Sequence, residues 1–190
     1  MSVKKQPRKT KNSEPFPPLS TSLKPFLVNG RDQDFRKMIY GLLQVSSMML
    51  KAREYYGAYI GVTAPQYSMI VAIAEAGEAT VRDLTKIMHV SSPFVTAEVN
   101  KLIAAGYLQK RTNTKDRRSI VLSLTAAGEE AVRRVAKMRL IANDMIFGSI
   151  TNDEAKVFQH LIQVLITDFG RAIHELEAPH WWTDGETGAN

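Results

Sequence analysis

Lys110, Arg111, Lys115, Arg117 and Arg118 stand against a single acid, Asp116, in the densest run of charge in the interior of the chain. Cations concentrated in this way attract phosphate. A little upstream, Ser91, Ser92, Thr96, Ala97, Asn100 and Lys101 recur at spacings that place them on one face of a helix. That face is small and polar, so it can approach another surface closely. Its hydroxyls and amide suit base edges and phosphates, with Asn100 fitted to an adenine and Lys101 to a phosphate or a guanine. The residues expected to touch DNA are therefore Ser91, Ser92, Thr96, Asn100, Lys101, Arg111, Lys115 and Arg117. Arg117 would enter a narrow minor groove, where negative potential is enhanced, and Asp116 would brace a neighbouring arginine. The bland alternatives are an ordinary polar helix face and a solvated hairpin end.

Such groups act together only if secondary structure presents them. Apolar residues Phe35, Met38, Ile39, Leu42, Val45, Met49 and Ala52 recur at helical spacing from Asp34 to about Tyr59, and Gly57 and Gly61 interrupt the stripe. Thr63 and Gln66 have capping-box spacing and predict a helix from Pro65 to Ala76 that stops at Gly77. Thr80 and Asp83 repeat the signal for a short helix through Met88. Ser92 before Pro93 predicts a third start, with Ser92 at the cap. That helix would bury Val95, Val99, Leu102 and Ile103 and end at Gly106. The period then falls to two: residues 107–111 and 119–124 flank the turn-forming run 112–116, which predicts a β-hairpin with a cationic tip. Thr125 opens another helix, with Val132, Val135, Met138, Ile141 and Met145 as its stripe. Thr151 and Glu154 open the last one, which carries Phe158, Leu161, Ile162, Leu165, Ile166, Phe169, Ile173 and Leu176. So wide a stripe is explained by burial against a second copy of the chain, or by a larger core within one copy.

The fold class expected is mainly α: a winged helix-turn-helix lobe with a β-hairpin wing, inserted in a helical dimerisation frame. Residues 63–125 form the DNA-binding region, and residues 26–62 and 126–176 the frame. Residues 1–25 carry Lys4, Lys5, Arg8, Lys9, Lys11 and Lys24 against Glu14 alone and contain five prolines, which predicts a disordered basic tail. The tail is either a solubilising extension or a phosphate-seeking arm. Residues 177–190 form an acidic tail around Trp181 and Trp182.

Composition excludes other chemistries. With 190 residues, 44% hydrophobic and 23% charged, the chain has material for one domain or two small ones and their core. The absence of cysteine removes disulfides, thiolate metal sites and thiol nucleophiles. The histidines, His89, His160, His174 and His180, lack the short spacing of a zinc site. There is no glycine-rich phosphate loop, serine elbow or paired-histidine motif, so an enzyme and a cofactor are not expected. No apolar run reaches the roughly 18 residues of a membrane span, and a soluble cytoplasmic protein is expected. A winged helix used only for protein contacts is the competing class, and the concentrated wing cations argue against it.

The sequence Asp116-Arg117-Arg118, followed by Leu122, Leu124-Thr125 and Gly128, resembles the wing signature of the MarR-type bacterial transcription regulators. Upstream, Leu84, Val95-Thr96, Leu102 and Gly106-Tyr107-Leu108 extend the resemblance, which spans Thr63 to Gly128. The resemblance implies a homodimer, built from the first and last helices, on a palindromic double-stranded DNA operator. It also implies that Asp116 and Arg118 brace the wing, that Arg117 enters the minor groove, and that a small-molecule pocket lies between the winged lobe and the dimer helices. Ala97 departs from the pattern, since many relatives place a basic residue there. For the pocket the expected lining is Met49, Arg53, Tyr56, Tyr59 and Met69, whose aromatic faces, thioethers and single guanidinium suit an aromatic carboxylate or its thioester. Plain core is the alternative role for these side chains. The function expected is a ligand-responsive repressor.

Overall fold

The structure, a computed structural model, describes residues 16–112 and 120–178. The chain divides into two compact units, residues 1–136 and 137–190.

The first unit begins with a short 3-10 turn, Lys24–Phe26, ahead of a long helix α1, Gln33–Ile60. Residues 16–25, expected within a disordered tail, are in place against the start of α1. Asp32 holds them there. Its carboxylate is fully buried and accepts from the Ser20 amide (2.6 Å) and hydroxyl (2.5 Å), while Arg36 pairs with it at 3.1 Å. Arg36 also donates to the Pro18 carbonyl, and the Phe26 and Phe35 rings pack with centroids 5.1 Å apart. Polarity and proline content conceal this segment because its anchor is one buried carboxylate twelve residues downstream.

Helix α1 runs through Gly57 and stops at Gly61, whose φ of 78° lies in the left-handed region where glycine carries no Cβ penalty. Gly57 serves a different purpose. A Cβ there would sit 2.6 Å from the Val62 carbonyl oxygen and 3.0 Å from that of Thr63, so its hydrogen lets the chain double back closely. Helix α2, Ala64–Ala76, and helix α3, Val81–Met88, both begin in full capping boxes, Thr63 with Gln66 and Thr80 with Asp83. Hydrogen bonds from the Thr80 hydroxyl and amide lower the Asp83 pKa below its ordinary value, because they favour the charged carboxylate.

Helix α4, Ser92–Ala104, starts one residue before the expected position. Ser91 is the cap, since its carbonyl accepts the first helical bond from Val95 (3.1 Å). No side-chain cap bond forms. Pro93 therefore lies within the first turn, where its missing N–H leaves nothing unsatisfied. Strands β1, Leu108–Thr112, and β2, Ile120–Leu124, pair antiparallel with Leu108 opposite Leu124 and Thr112 opposite Ile120. Ala79 adds a two-bond bridge to Leu122. The core of this unit gathers Ile60, Tyr67, Met69, Ile70 and Ile73 with Leu84, Val95, Val99, Leu102, Leu108 and Leu122, all buried.

Helix α5, Ala126–Phe147, begins in the first unit, where Gly128, Ala131 and Val135 are buried. In the second unit its later residues Ile141 and Met145 are exposed. Helix α6, Asn152–Leu176, opens in a third capping box, Thr151 with Glu154, and buries no residue. Its stripe, including Phe158, Leu161, Phe169, Ile173 and Leu176, is left about half in solvent.

Candidate nucleic-acid interface

Helix α4 is two-faced, and the division follows from its period. Val95, Val99 and Leu102 are buried and fix its axis, while Ser91, Ser92, Thr96, Ala97, Asn100 and Lys101 are all exposed. The core side chains thus hold the polar face outward on a rigid element, as a surface that reads another molecule requires. The exit of α4 is fixed as well. Gly106 adopts a φ of 80°, and the Tyr107 hydroxyl donates to the Ile60 carbonyl at 2.7 Å, tying the chain after α4 to the end of α1. Thr125 donates from its hydroxyl to the Gly106 carbonyl, and that hydroxyl accepts from the Gly128 amide at 3.1 Å. Gly128 lies so close to the Tyr107 carbonyl oxygen that a Cβ could not fit.

The hairpin stem stands beside α4. Lys110 donates to the Asn100 side-chain carbonyl at 2.9 Å, which joins β1 to the polar face of the helix. Arg111 pairs with Glu78. The remaining wing candidates, Lys115, Asp116, Arg117 and Arg118, lie outside the described residues, as do Trp181 and Trp182.

Sequence patterning missed an acid on this helix. Glu98 faces inward and is buried. Its Oε2 accepts from Gln66 Nε2 at 2.8 Å and its Oε1 from Lys101 Nζ at 2.6 Å. Gln66 is itself locked, since its Oε1 accepts from the Thr63 amide (3.0 Å) in the capping box. The one available signal was position: Glu98 falls between Val95 and Leu102 on the apolar side of the period, where a charge needs a partner.

The five residues expected around a small molecule separate into two kinds. Tyr56 and Met69 are buried, and Tyr56 packs on Tyr67 with ring centroids 5.5 Å apart. The Tyr56 hydroxyl is buried and makes no hydrogen bond. Arg53 is half-buried and donates to the Ser68 hydroxyl at 3.0 Å, which in turn donates to the Ala64 carbonyl. Met49 and Tyr59 are exposed, and the Arg134 guanidinium lies over the Tyr59 ring at 5.6 Å. A separate groove of about 370 Å³, lined by Ile73, Gly77, Leu124 and Val132 with Glu129 and Arg133, shares no residue with this set. No helix among the described residues is long and apolar enough to cross a membrane.

Residues 60–119 match the model of the MarR family. The uncharacterized HTH-type transcriptional regulator YwhA of Bacillus subtilis is 28% identical over 89 residues, which cover 47% of this chain and 64% of that protein. Among solved structures, a MarR/EmrR family transcriptional regulator from Acinetobacter sp. ADP1 matches with a TM-score of 0.64 at 17% identity, over 73% of this chain and 97% of that one. NadR in complex with 4-hydroxyphenylacetate matches with a TM-score of 0.61 at 22% identity, over 67% and 90%. These structural likenesses establish the winged-helix fold.

Proposed function

We propose that this chain, whose residues 60–119 match the MarR family model, represses transcription by gripping a palindromic DNA operator as a homodimer and releasing it on binding a small molecule. One observation carries the DNA reading: α4 is anchored by Val95, Val99 and Leu102 while Ser91, Ser92, Thr96 and Asn100 stand free of the core on its other side. A helix of this kind fits the major groove, and a hairpin beside it reaches the flanking phosphates and the minor groove. Lys110 and Arg111 on the stem, with Lys115 and Arg117 beyond it, supply the cations. Asp116 and Arg118 brace the tip.

The effector is an aromatic acid or its thioester. The support is chemical: Arg53 offers a guanidinium at the end of α1, and the buried Tyr56 hydroxyl one turn on lacks a hydrogen-bond partner. NadR, of similar fold, is seen with 4-hydroxyphenylacetate. Such a ligand moves the chain off DNA only if it binds the released shape more tightly than the gripping one.

The test is a titration of the full chain against random-sequence duplex. Between about 50 and 200 mM salt, a binder making 6–10 phosphate contacts loses on the order of a thousandfold or more in affinity. Arg117→Ala is expected to cost about 1–3 kcal/mol of operator binding with the melting temperature unchanged. Adding 4-hydroxyphenylacetate to the titration should weaken the complex. A salt-independent association would favour a winged helix that contacts only protein, and an unchanged Arg117→Ala affinity would take the wing out of the interface.

A further inference from the structure

Among the described residues, Lys101 of α4 and Lys110 and Arg111 of β1 are cations with partners, and those partners differ in one respect. Arg111 is 54% exposed and its partner Glu78 is 42% exposed, so water can take over either group when the pair opens. Lys110 leans on a neutral amide. Lys101 is 64% exposed, but the Glu98 carboxylate it holds is only 10% exposed. That carboxylate has two partners, the Gln66 amide and the Lys101 ammonium. If Lys101 swung away to a phosphate, an anion would remain buried on one neutral hydrogen bond, which is among the costlier arrangements in a protein. The Gln66 side chain cannot follow the change, because its carbonyl is engaged at the Thr63 amide.

We infer that Glu98 sets the DNA specificity of α4 by holding the Lys101 ammonium on the protein, so that Lys101, which its position alone would send to a phosphate or a guanine, stays off the DNA and the helix meets the duplex through Ser92, Thr96 and Asn100 with little sequence-independent attraction of its own. Glu98 is a positioning residue, since it acts through Lys101 and touches no base. The inference rests on the DNA-binding reading above. Specificity is the ratio of operator to random-sequence affinity, and phosphate contacts dominate the second quantity. Neutralising one cation at the centre of the reading face lowers that second quantity and leaves the hydroxyls and the amide to discriminate.

The experiment compares the full chain with Lys101→Met, Glu98→Gln and the double variant, by fluorescence anisotropy on random-sequence duplex across a salt series, with thermal melts alongside. Lys101→Met replaces an exposed side chain and should fold. It is expected to leave affinity within about twofold and the salt slope unchanged, because the ammonium is already committed. Glu98→Gln keeps the bond from Gln66 through its amide carbonyl and frees Lys101. Its binding at about 50 mM salt should tighten on the order of tenfold, with a slope steeper by about 0.9, and both changes should vanish in the double variant. The inference is overturned if Lys101→Met alone weakens binding about tenfold and flattens the slope by about 0.9, for then Lys101 already contacts phosphate. It is overturned equally if the Glu98→Gln gain persists without Lys101, which marks a general field effect. A wild-type chain with no affinity for duplex at any salt removes the DNA reading itself, and shows this in the wild-type arm alone.

Discussion

At the scale of single residues, buried polar groups decide more in this molecule than exposed charges do. Asp32, Gln66 and Glu98 are the polar or charged side chains buried among the described residues, and each fastens one segment to another. Asp32 is the clearest case for pH. Hydrogen bonds from the Ser20 hydroxyl, then from its amide, hold the Asp32 pKa below the ordinary 3.8 against the opposing effect of burial, and Arg36 assists. A carboxyl whose folded pKa is lowered stabilises the fold above its ordinary value. That contribution is lost as pH falls below the ordinary value and through the folded one. Asp32→Asn should therefore melt below the wild type at neutral pH, with the gap closing between about pH 5 and pH 2. Paired melting curves across that range check this; a gap independent of pH would show that the Ser20 contacts do not favour the ionised form. The sequence does not show this, because Asp32 caps α1 without a side-chain cap bond and its carboxylate turns instead to Ser20, twelve residues earlier.

At the scale of elements, helix starts are the feature the sequence announces best. Thr63 with Gln66, Thr80 with Asp83 and Thr151 with Glu154 form the three capping boxes their spacing predicts, because a capping box is made within four consecutive residues. The start of α4 shows the limit: two serines precede one proline, and Ser91 rather than the expected Ser92 takes the cap, without a side-chain bond to mark it. Glycines divide in the same way. Gly61 ends α1 through its own backbone angle, a local property. Gly57 matters only because the segment after α1 returns against it. Gly57→Ala should destabilise the chain by about 1–3 kcal/mol, as the atoms in the way are backbone and cannot rotate aside. Gly41→Ala in the same helix meets nothing within 4 Å and should stabilise by about 0.5–1 kcal/mol. Chemical denaturation of both variants checks the pair, and equal effects would mean that the turn after α1 yields.

At the scale of the whole molecule, helix α6 keeps an apolar face that the described residues leave uncovered. It buries none of its residues, yet Phe158, Leu161, Phe169, Ile173 and Leu176 each leave about half of their surface in water. Burying the rest gains roughly 1 kcal/mol per side chain. Two copies of such a face together gain on the order of 10 kcal/mol, similar to the 4–15 kcal/mol cost of association. The helix alone thus brings the proposed homodimer near balance. Deleting residues 151–190 should leave protein that is monomeric or insoluble and no longer binds a palindrome. Sedimentation and a palindromic duplex titration check this, and a soluble truncation with full DNA affinity is incompatible with the proposed dimer.

By itself the sequence determined the three helix starts made in capping boxes, where the two strands lie and which face of α4 is polar, because these depend on neighbours within a turn or two of chain. Tertiary structure alone decided which of those polar groups are engaged. Lys101 reads as a free cation until Glu98 is seen buried beneath it. Tyr56 and Met69 read alike in the sequence with Met49 and Tyr59, and only packing shows that the first two are buried and the last two exposed. Residues 16–25 read as tail until Asp32 receives Ser20. Each of these depends on burial, which raises the cost of an unpaired charge and is set by residues distant along the chain.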